Sequence, residues 1–375
     1  MKIPRIYQKL EDYLNPNKVL IIYGPRQVGK TTLLEDFLSN TNLRYKLVSG
    51  DDIRVQEALS SNDFSIIKEY AAGYELIAID EAQEIENIGQ NLKIMVDHIL
   101  GIKIIATGSS SFELAGQVGE PLTGRKITLT LYPISQIELL NLYNQYELKE
   151  NLEEYLIYGS YPEVITSRYK KDKTKIINEI TGSYLLKDVL EHERIKSPKI
   201  LLDLLRLLAF QIGSEVSLTE LGQQLGIDYK TVSRYLDILE KAFVVYNLRG
   251  FSRNLRKEIA KKSKYYFYDN GIRNSIIANF NSLELRDDIG KLWENFLFIE
   301  RIKKQTYKNI YSNNYFWRTW DQKEIDMIEE REGKLFGYEF KWSGKIPKAP
   351  KEWLETYSNA EFQVINKENY LDFIT

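Results

Sequence analysis

The sequence predicts an α/β fold built in several units, and three stretches carry that reading. Residues 19–38, VLIIYGPRQVGKTTLLEDFL, read as an apolar strand, a glycine-bearing loop and the start of a helix. Residues 217–245, SLTELGQQLGIDYKTVSRYLDILEKAFVV, read as two short helices about a glycine turn, followed by a strand. From 288 to 366 the order is helix, three strands, helix, strand. With 375 residues the chain has room for two or three domains of roughly 150 residues. The pattern divides it at 1–150, 151–210, 211–275 and 283–375.

The first stretch fits the phosphate-binding pattern G-x-x-x-x-G-K-[ST] over GPRQVGKT, residues 24–31. Gly24 and Gly29 let the backbone turn tightly and approach phosphate oxygens without a Cβ. The backbone from Gly24 through Pro25, Arg26, Gln27, Val28 and Gly29, and on to Thr32 in the helix, is expected to cradle an anion with the N–H groups it carries. Lys30 supplies a point charge for β- and γ-phosphates, and Thr31 a hydroxyl for Mg²⁺. A second strand, ELIAIDEAQ (75–83), ends in two acids fifty residues after Lys30. Asp80 is placed to hold Mg²⁺, and Glu81 to orient and deprotonate the attacking water. A third, KIIATGSSS (103–111), ends in small polar residues, where Thr107 or Ser109 would sense the γ-phosphate; an ordinary helix cap fits them equally well. Arg125, before the strand of LTGRKITLTLYPIS, is a candidate arginine finger for its own or a neighbouring subunit, with a plain surface arginine as the simpler alternative. Strands alternating with helices imply a parallel sheet with ligand at the strands' carboxyl ends.

These motifs together, GPRQVGKTTLL, IDEAQ, ATGSSS and LTGR…YPIS, resemble the AAA-type ATPases of bacteria and archaea, in which a P-loop domain is fused to a poorly characterised carboxyl-terminal domain. The resemblance continues through LEEYLIYGSYPEVI (152–165) into the tail. It implies ATP as the nucleotide, ATP hydrolysis with Mg²⁺, and no particular client.

Residues 152–210 carry leucine, isoleucine and tyrosine at helical spacing and read as a connector or lid, with His192 on a solvated face. In the helix-turn-helix stretch, Gly226 ends the first helix and Asp228 caps the second. The following strand makes a winged helix the expectation. In a DNA-binding version Tyr229, Lys230, Thr231, Ser233 and Arg234 would face the major groove. Residues 249–264 hold Arg249, Arg253, Arg256, Lys257, Lys261, Lys262 and Lys264 against Glu258, a local net +6 in a chain of net −2. Such a wing would lie on phosphates, although winged helices also dock proteins and a charge run is often only solvated.

The order of elements in the tail resembles that of the PD-(D/E)xK, restriction-endonuclease-like fold. Asp326 lies on its second strand, and Glu339 and Lys341, two apart on the third, share a face. With Glu294 from the preceding helix, these acids would bind a second Mg²⁺ or Mn²⁺, and Lys341 would activate water. The bland reading is a buried acid–lysine pair that holds the sheet together. The runner-up for the whole chain is an ATP-driven switch on a protein client, with the tail as a non-catalytic module.

Composition sets bounds. Net charge −2 gives no global attraction to nucleic acid. The absence of cysteine removes disulfides, zinc–thiolate sites and cysteine nucleophiles, and two histidines, His98 and His192, are too few for a multi-histidine metal site. MKIPRIYQKLEDYL lacks a signal-type apolar core, and the longest apolar runs fall short of the roughly 18 residues of a membrane span. The expectation is a cytoplasmic protein, off the membrane, that can form oligomers.

Overall fold

A computed structural model describes residues 3–109, 121–183, 197–251, 263–319, 323–344 and 346–375. Five strands, β1 (Val19–Tyr23), β2 (Tyr45–Ser49), β3 (Leu76–Asp80), β4 (Lys103–Gly108) and β5 (Lys126–Thr130), form a sheet of order β2-β3-β4-β1-β5 with every pairing parallel. Period-2 alternation explains why its central strands are apolar throughout. Leu20, Ile22, Leu76, Ala78 and Ile105 enter one core, and Val19, Ile21, Ile77, Ile79, Ile104 and Ala106 enter another on the opposite face. The carboxyl ends of β1, β3 and β4 therefore open together on one edge, where a parallel sheet places its ligand.

The core holding Leu20 and Ile22 does not stop at this sheet. It runs through Tyr155, Leu204 and Leu236 to Phe298 and Met327, so the described units share one apolar interior. Helix Leu218–Leu225 ends on Gly226 in the left-handed conformation (φ 68°), and helix Tyr229–Lys241 starts from Asp228, whose carboxylate accepts from the N–H groups of Lys230 and Thr231.

The remaining strands are β6 (Glu215–Val216), β7 (Val245–Gly250), β8 (Ser263–Phe267), β9 (Asn313–Arg318), β10 (Glu324–Arg331), β11 (Lys334–Phe340) and β12 (Ala360–Ile365). They make a single seven-stranded sheet of order β12-β11-β10-β9-β7-β8-β6. The strands expected in the 211–275 unit thus join those of the 283–375 unit, through a parallel pairing of Arg249 with Tyr315 and Gly250 with Phe316. Against this sheet packs the 19-residue helix Ile289–Tyr307. The β9–β10 register shifts between Ile325 and Ile328, an irregularity that falls at Asp326.

Candidate nucleotide site and carboxyl-terminal acidic cluster

The loop between β1 and helix Lys30–Asn40 has the backbone its glycines predict. Gly24 has φ 153°, and a Cβ there would stand 2.0 Å from the Leu131 carbonyl oxygen. Gly29 has φ 93° and opens the helix. Lys30 is almost fully buried, and its ammonium donates to the carbonyls of Gly24 and Pro25, each at 2.9 Å. The loop's positive charge therefore sits at the mouth of the cradle.

Across the loop stand the two acids at the tip of β3. Thr31 Oγ1 donates to Asp80 Oδ2 at 2.8 Å, and Thr107 Oγ1 of β4 donates to Asp80 Oδ1. The hydroxyl and carboxylate that a nucleotide-bound Mg²⁺ would need are thus already side by side, and the donor set fits that ion. Glu81 follows with φ 48°, a left-handed backbone outside the strand, and its N–H donates to Thr107 Oγ1 at 3.3 Å. Ser109 is buried at the end of β4, and its N–H donates to Gln83 Oε1 at 3.2 Å. Gln83 had no mark in the sequence: a glutamine in a short turn carries no periodicity or spacing signal.

Beside the loop lies a cavity of about 660 Å³ lined by Ile3, Arg5, Val28, Thr32, Leu33 and Pro162, among others. Arg5 ties its wall to the loop. The guanidinium donates to the Val28 carbonyl, to the Tyr132 carbonyl at 2.7 Å, and to Glu138 Oε1 at 2.8 Å. From Glu138 a buried polar chain leads into the carboxyl-terminal unit. Ser135 and Glu138 form a reciprocal helix cap, and the neighbouring Gln136 N–H donates to Glu300 Oε2 at 2.7 Å. Glu300 is ion-paired at 2.7 Å with Lys303, which also donates to Ile134 O and Ser160 Oγ. Burial pushes the Glu300 carboxyl above the usual range, against the pull of Lys303.

Arg125 is placed elsewhere. It precedes β5 and runs level with the start of β1, where Val19 N–H donates to its carbonyl. The phosphate loop leaves the far end of β1, five residues away at roughly 3.3 Å each. Its guanidinium is paired with Asp97 at 2.6 Å. A finger role on the phosphates of its own chain is therefore corrected: parallel strands put the start of β5 at the sheet edge opposite the loop.

In the carboxyl-terminal unit the acids named from the sequence come together, with a partner the sequence did not place there. Lys264 of β8 is 2% exposed. Its ammonium is 3.4 Å from Glu294 Oε1 and ion-paired with Glu324. Tyr266 Oη donates to Glu294 at 2.7 Å, Phe340 N–H to Asp326 at 2.7 Å, and Lys341 lies 2.7 Å from Glu339 Oε1. Burial first, then the charges of Glu294 and Glu339, push the Asp326 carboxyl well above the usual range. Glu339 is also raised, again chiefly by burial. Among the described residues no three His, Cys, Asp or Glu side chains converge as ligands for a metal ion. A lysine stands inside the acidic cluster, and this arrangement does not fit a divalent cation unless that ammonium moves. Counting Lys264 with the phosphate-facing wing charges is likewise corrected: strand alternation turns it inward. The other wing residues from 253 to 262, and His192, lie outside the described residues.

On the second helix of the helix-turn-helix, Tyr229, Lys230, Ser233 and Arg234 are exposed. Thr231 is half-buried, with its hydroxyl donated to Asp228 at 2.6 Å, so it serves the cap. Among the described residues no helix is long and apolar enough to cross a membrane.

Comparison with known proteins agrees with the geometry of the first sheet. Residues 16–140 match the AAA domain family. The amino-terminal unit is an AAA-type P-loop domain. Residues 149–283 and 289–371 match two domains of unknown function, DUF8612 and DUF4143. An uncharacterized protein of Haemophilus influenzae is 26% identical over 349 residues, covering 88% of this chain and 83% of that protein. An uncharacterized protein of Methanocaldococcus jannaschii is 25% identical over 351 residues, covering 88% and 76%. Among solved structures, a Bacteroides Pif1 helicase bound to single-stranded DNA is 14% identical with a TM-score of 0.25, covering 48% of this chain and 50% of that one. This chain thus matches about half the length of that helicase.

Proposed function

We propose that the protein binds ATP with Mg²⁺ and hydrolyses it at the edge of the five-stranded sheet. The observation that carries this is the meeting of Lys30, Thr31, Asp80 and Glu81 at the carboxyl ends of β1 and β3. The backbone from Gly24 to Thr32 would hold the phosphates, and Lys30 would exchange its two carbonyl partners for phosphate oxygens. Bound Mg²⁺ would offset charge on the β- and γ-phosphates, and Thr31 and Asp80 are the residues that would hold it. Glu81 would orient and deprotonate the water that attacks the γ-phosphate. The cavity beside Val28 and Thr32 is large enough for the nucleoside. The test is ATP binding and phosphate release by wild type, Lys30→Ala and Glu81→Gln. Loss of binding in the first, and of turnover with binding retained in the second, is expected; wild-type protein that binds no ATP overturns the reading.

For the output of that turnover we propose DNA, reached through a winged helix. The support is the exposed set Tyr229, Lys230, Ser233 and Arg234 on a capped second helix, joined by strands to the carboxyl-terminal sheet. The buried chain Arg5–Glu138–Gln136–Glu300–Lys303 gives nucleotide state a physical route there. Salt-sensitive stimulation of ATP turnover by duplex DNA is the measurement, and indifference to DNA at low salt rejects it. One observation favours the second reading, a switch on a protein client with a non-catalytic tail. Lys264 is ion-paired with Glu324 and lies beside Glu294, one of the acids PD-(D/E)xK chemistry would use for a cation, so DNA cleavage with Mn²⁺ is expected to be absent.

A further inference from the structure

We propose that Gln83 is the positioning residue for Glu81, and that it ties the water-activating carboxylate to the tip of β4. This rests on the hydrolytic reading above. Gln83 Nε2 donates to Glu81 Oε2 at 2.5 Å and to Glu84 Oε1 at 3.2 Å, while Gln83 Oε1 accepts from the Ser109 N–H at 3.2 Å. The orientation of the amide is fixed by chemistry. A backbone N–H only donates, so it must face the carboxamide oxygen, and the nitrogen is left for the acids. Gln83 is 6% exposed, so these bonds are made with little competition from water.

Glu81 needs such a partner. It lies past the end of β3 in a left-handed conformation, and its carbonyl is crowded against Gly50, where a Cβ would come within 2.2 Å. The backbone is held there, and among the described residues the side chain takes its hydrogen bond from Gln83. β4 then holds both acids from one tip: Thr107 bonds Asp80 directly, and Ser109 reaches Glu81 through Gln83. Any shift of β4 when the γ-phosphate arrives or leaves would move the carboxamide and swing the carboxylate with it. Ser109 thereby acts on hydrolysis through its backbone N–H, a role that its side-chain type does not reveal.

The experiment is steady-state ATP hydrolysis by wild type, Gln83→Met, Gln83→Ala, Glu81→Gln and the Glu81→Gln/Gln83→Met double variant. ATP affinity is measured alongside by calorimetry. Gln83→Met keeps the buried volume and removes the amide. A displaced general base loses roughly ten- to a hundred-fold in rate. The expected result is that loss in kcat with KM and ATP affinity within about two-fold of wild type, and no further loss from Gln83→Met in the Glu81→Gln background. Wild-type kcat in Gln83→Met, a faster enzyme, equal losses in kcat and affinity, or independent losses in the double variant would each overturn the proposal. Wild-type protein that does not hydrolyse ATP at all would instead remove the parent reading, and this one with it.

Discussion

Lys264→Met tests the carboxyl-terminal cluster most directly. The substitution keeps the aliphatic stem and removes an ammonium that is 2% exposed. Glu294 and Glu324 lose an ion pair, and Asp326 loses a neighbouring positive charge. Removing one partner of a buried pair costs about 3–5 kcal/mol. The lower end applies here, because Glu324 is 31% exposed and Glu294 keeps the Tyr266 hydroxyl. At a urea slope of about 2 kcal/mol/M, a loss near 3 kcal/mol lowers the midpoint by about 1.5 M. All five tryptophans fall between residues 293 and 353, so tryptophan fluorescence, excited selectively over tyrosine, reports this unit.

The effect should depend on pH in a set direction. Burial alone would lower the Lys264 pKa, but Glu294, Asp326 and Glu324 overcome it and raise the pKa. A raised lysine contributes fully below its ordinary value of about 10.4, so the wild-type pair is intact across neutral pH. Asp326 is raised by burial and by Glu294 and Glu339, so its ionisation opposes folding as pH rises above about 3.9. Without the ammonium that opposition grows, and the gap between wild type and variant should widen as pH rises through the raised Asp326 pKa. Lys341, beside Glu339, remains in both proteins. A variant within about 0.5 kcal/mol of wild type, or a gap that narrows as pH rises, would refute the electrostatic account.

Gly24→Ala should abolish ATP binding, since its Cβ would stand 2.0 Å from the backbone oxygen of Leu131; calorimetry on folded protein checks it. Arg5→Ala strands Glu138 at zero exposure and frees the Val28 and Tyr132 carbonyls, for a loss of about 3 kcal/mol. Glu138 keeps the Ile6 and Ser135 donors, so Arg5→Met with Glu138→Gln should be less destabilised than the sum of the two single changes, as read by chemical denaturation. Lys230→Ala and Arg234→Ala should weaken duplex binding uniformly across sequences, each lowering the salt slope by about one if it meets a phosphate; unchanged slopes reject that contact.

Local spacing determined much of this protein. A phosphate loop is read from eight consecutive residues because its chemistry is backbone geometry plus one lysine and one hydroxyl, and Thr31 does meet Asp80. Gly226 and Asp228 announce a helix end and a helix start because caps act within three residues. Alternation put Glu339 and Lys341 on one face, whereas Asp326 and Glu294 were set beside them by hairpin spacing and by resemblance to a nuclease-like fold; Glu294 and Glu339 do act on the Asp326 carboxyl. What spacing does not carry is which remote strand arrives beside which. Lys264 sits in a basic run that reads as a solvated wing, yet the pairing of β7 with β9 extends one sheet and brings it among the acids. Arg125 is near the phosphates in a linear motif but at the opposite sheet edge in space, because parallel strands start together. The chain from Arg5 to Lys303 joins residues roughly three hundred positions apart. Only the tertiary structure could decide these, since a buried charge takes its partner from whatever the fold brings within reach, and the sequence holds no local record of that choice.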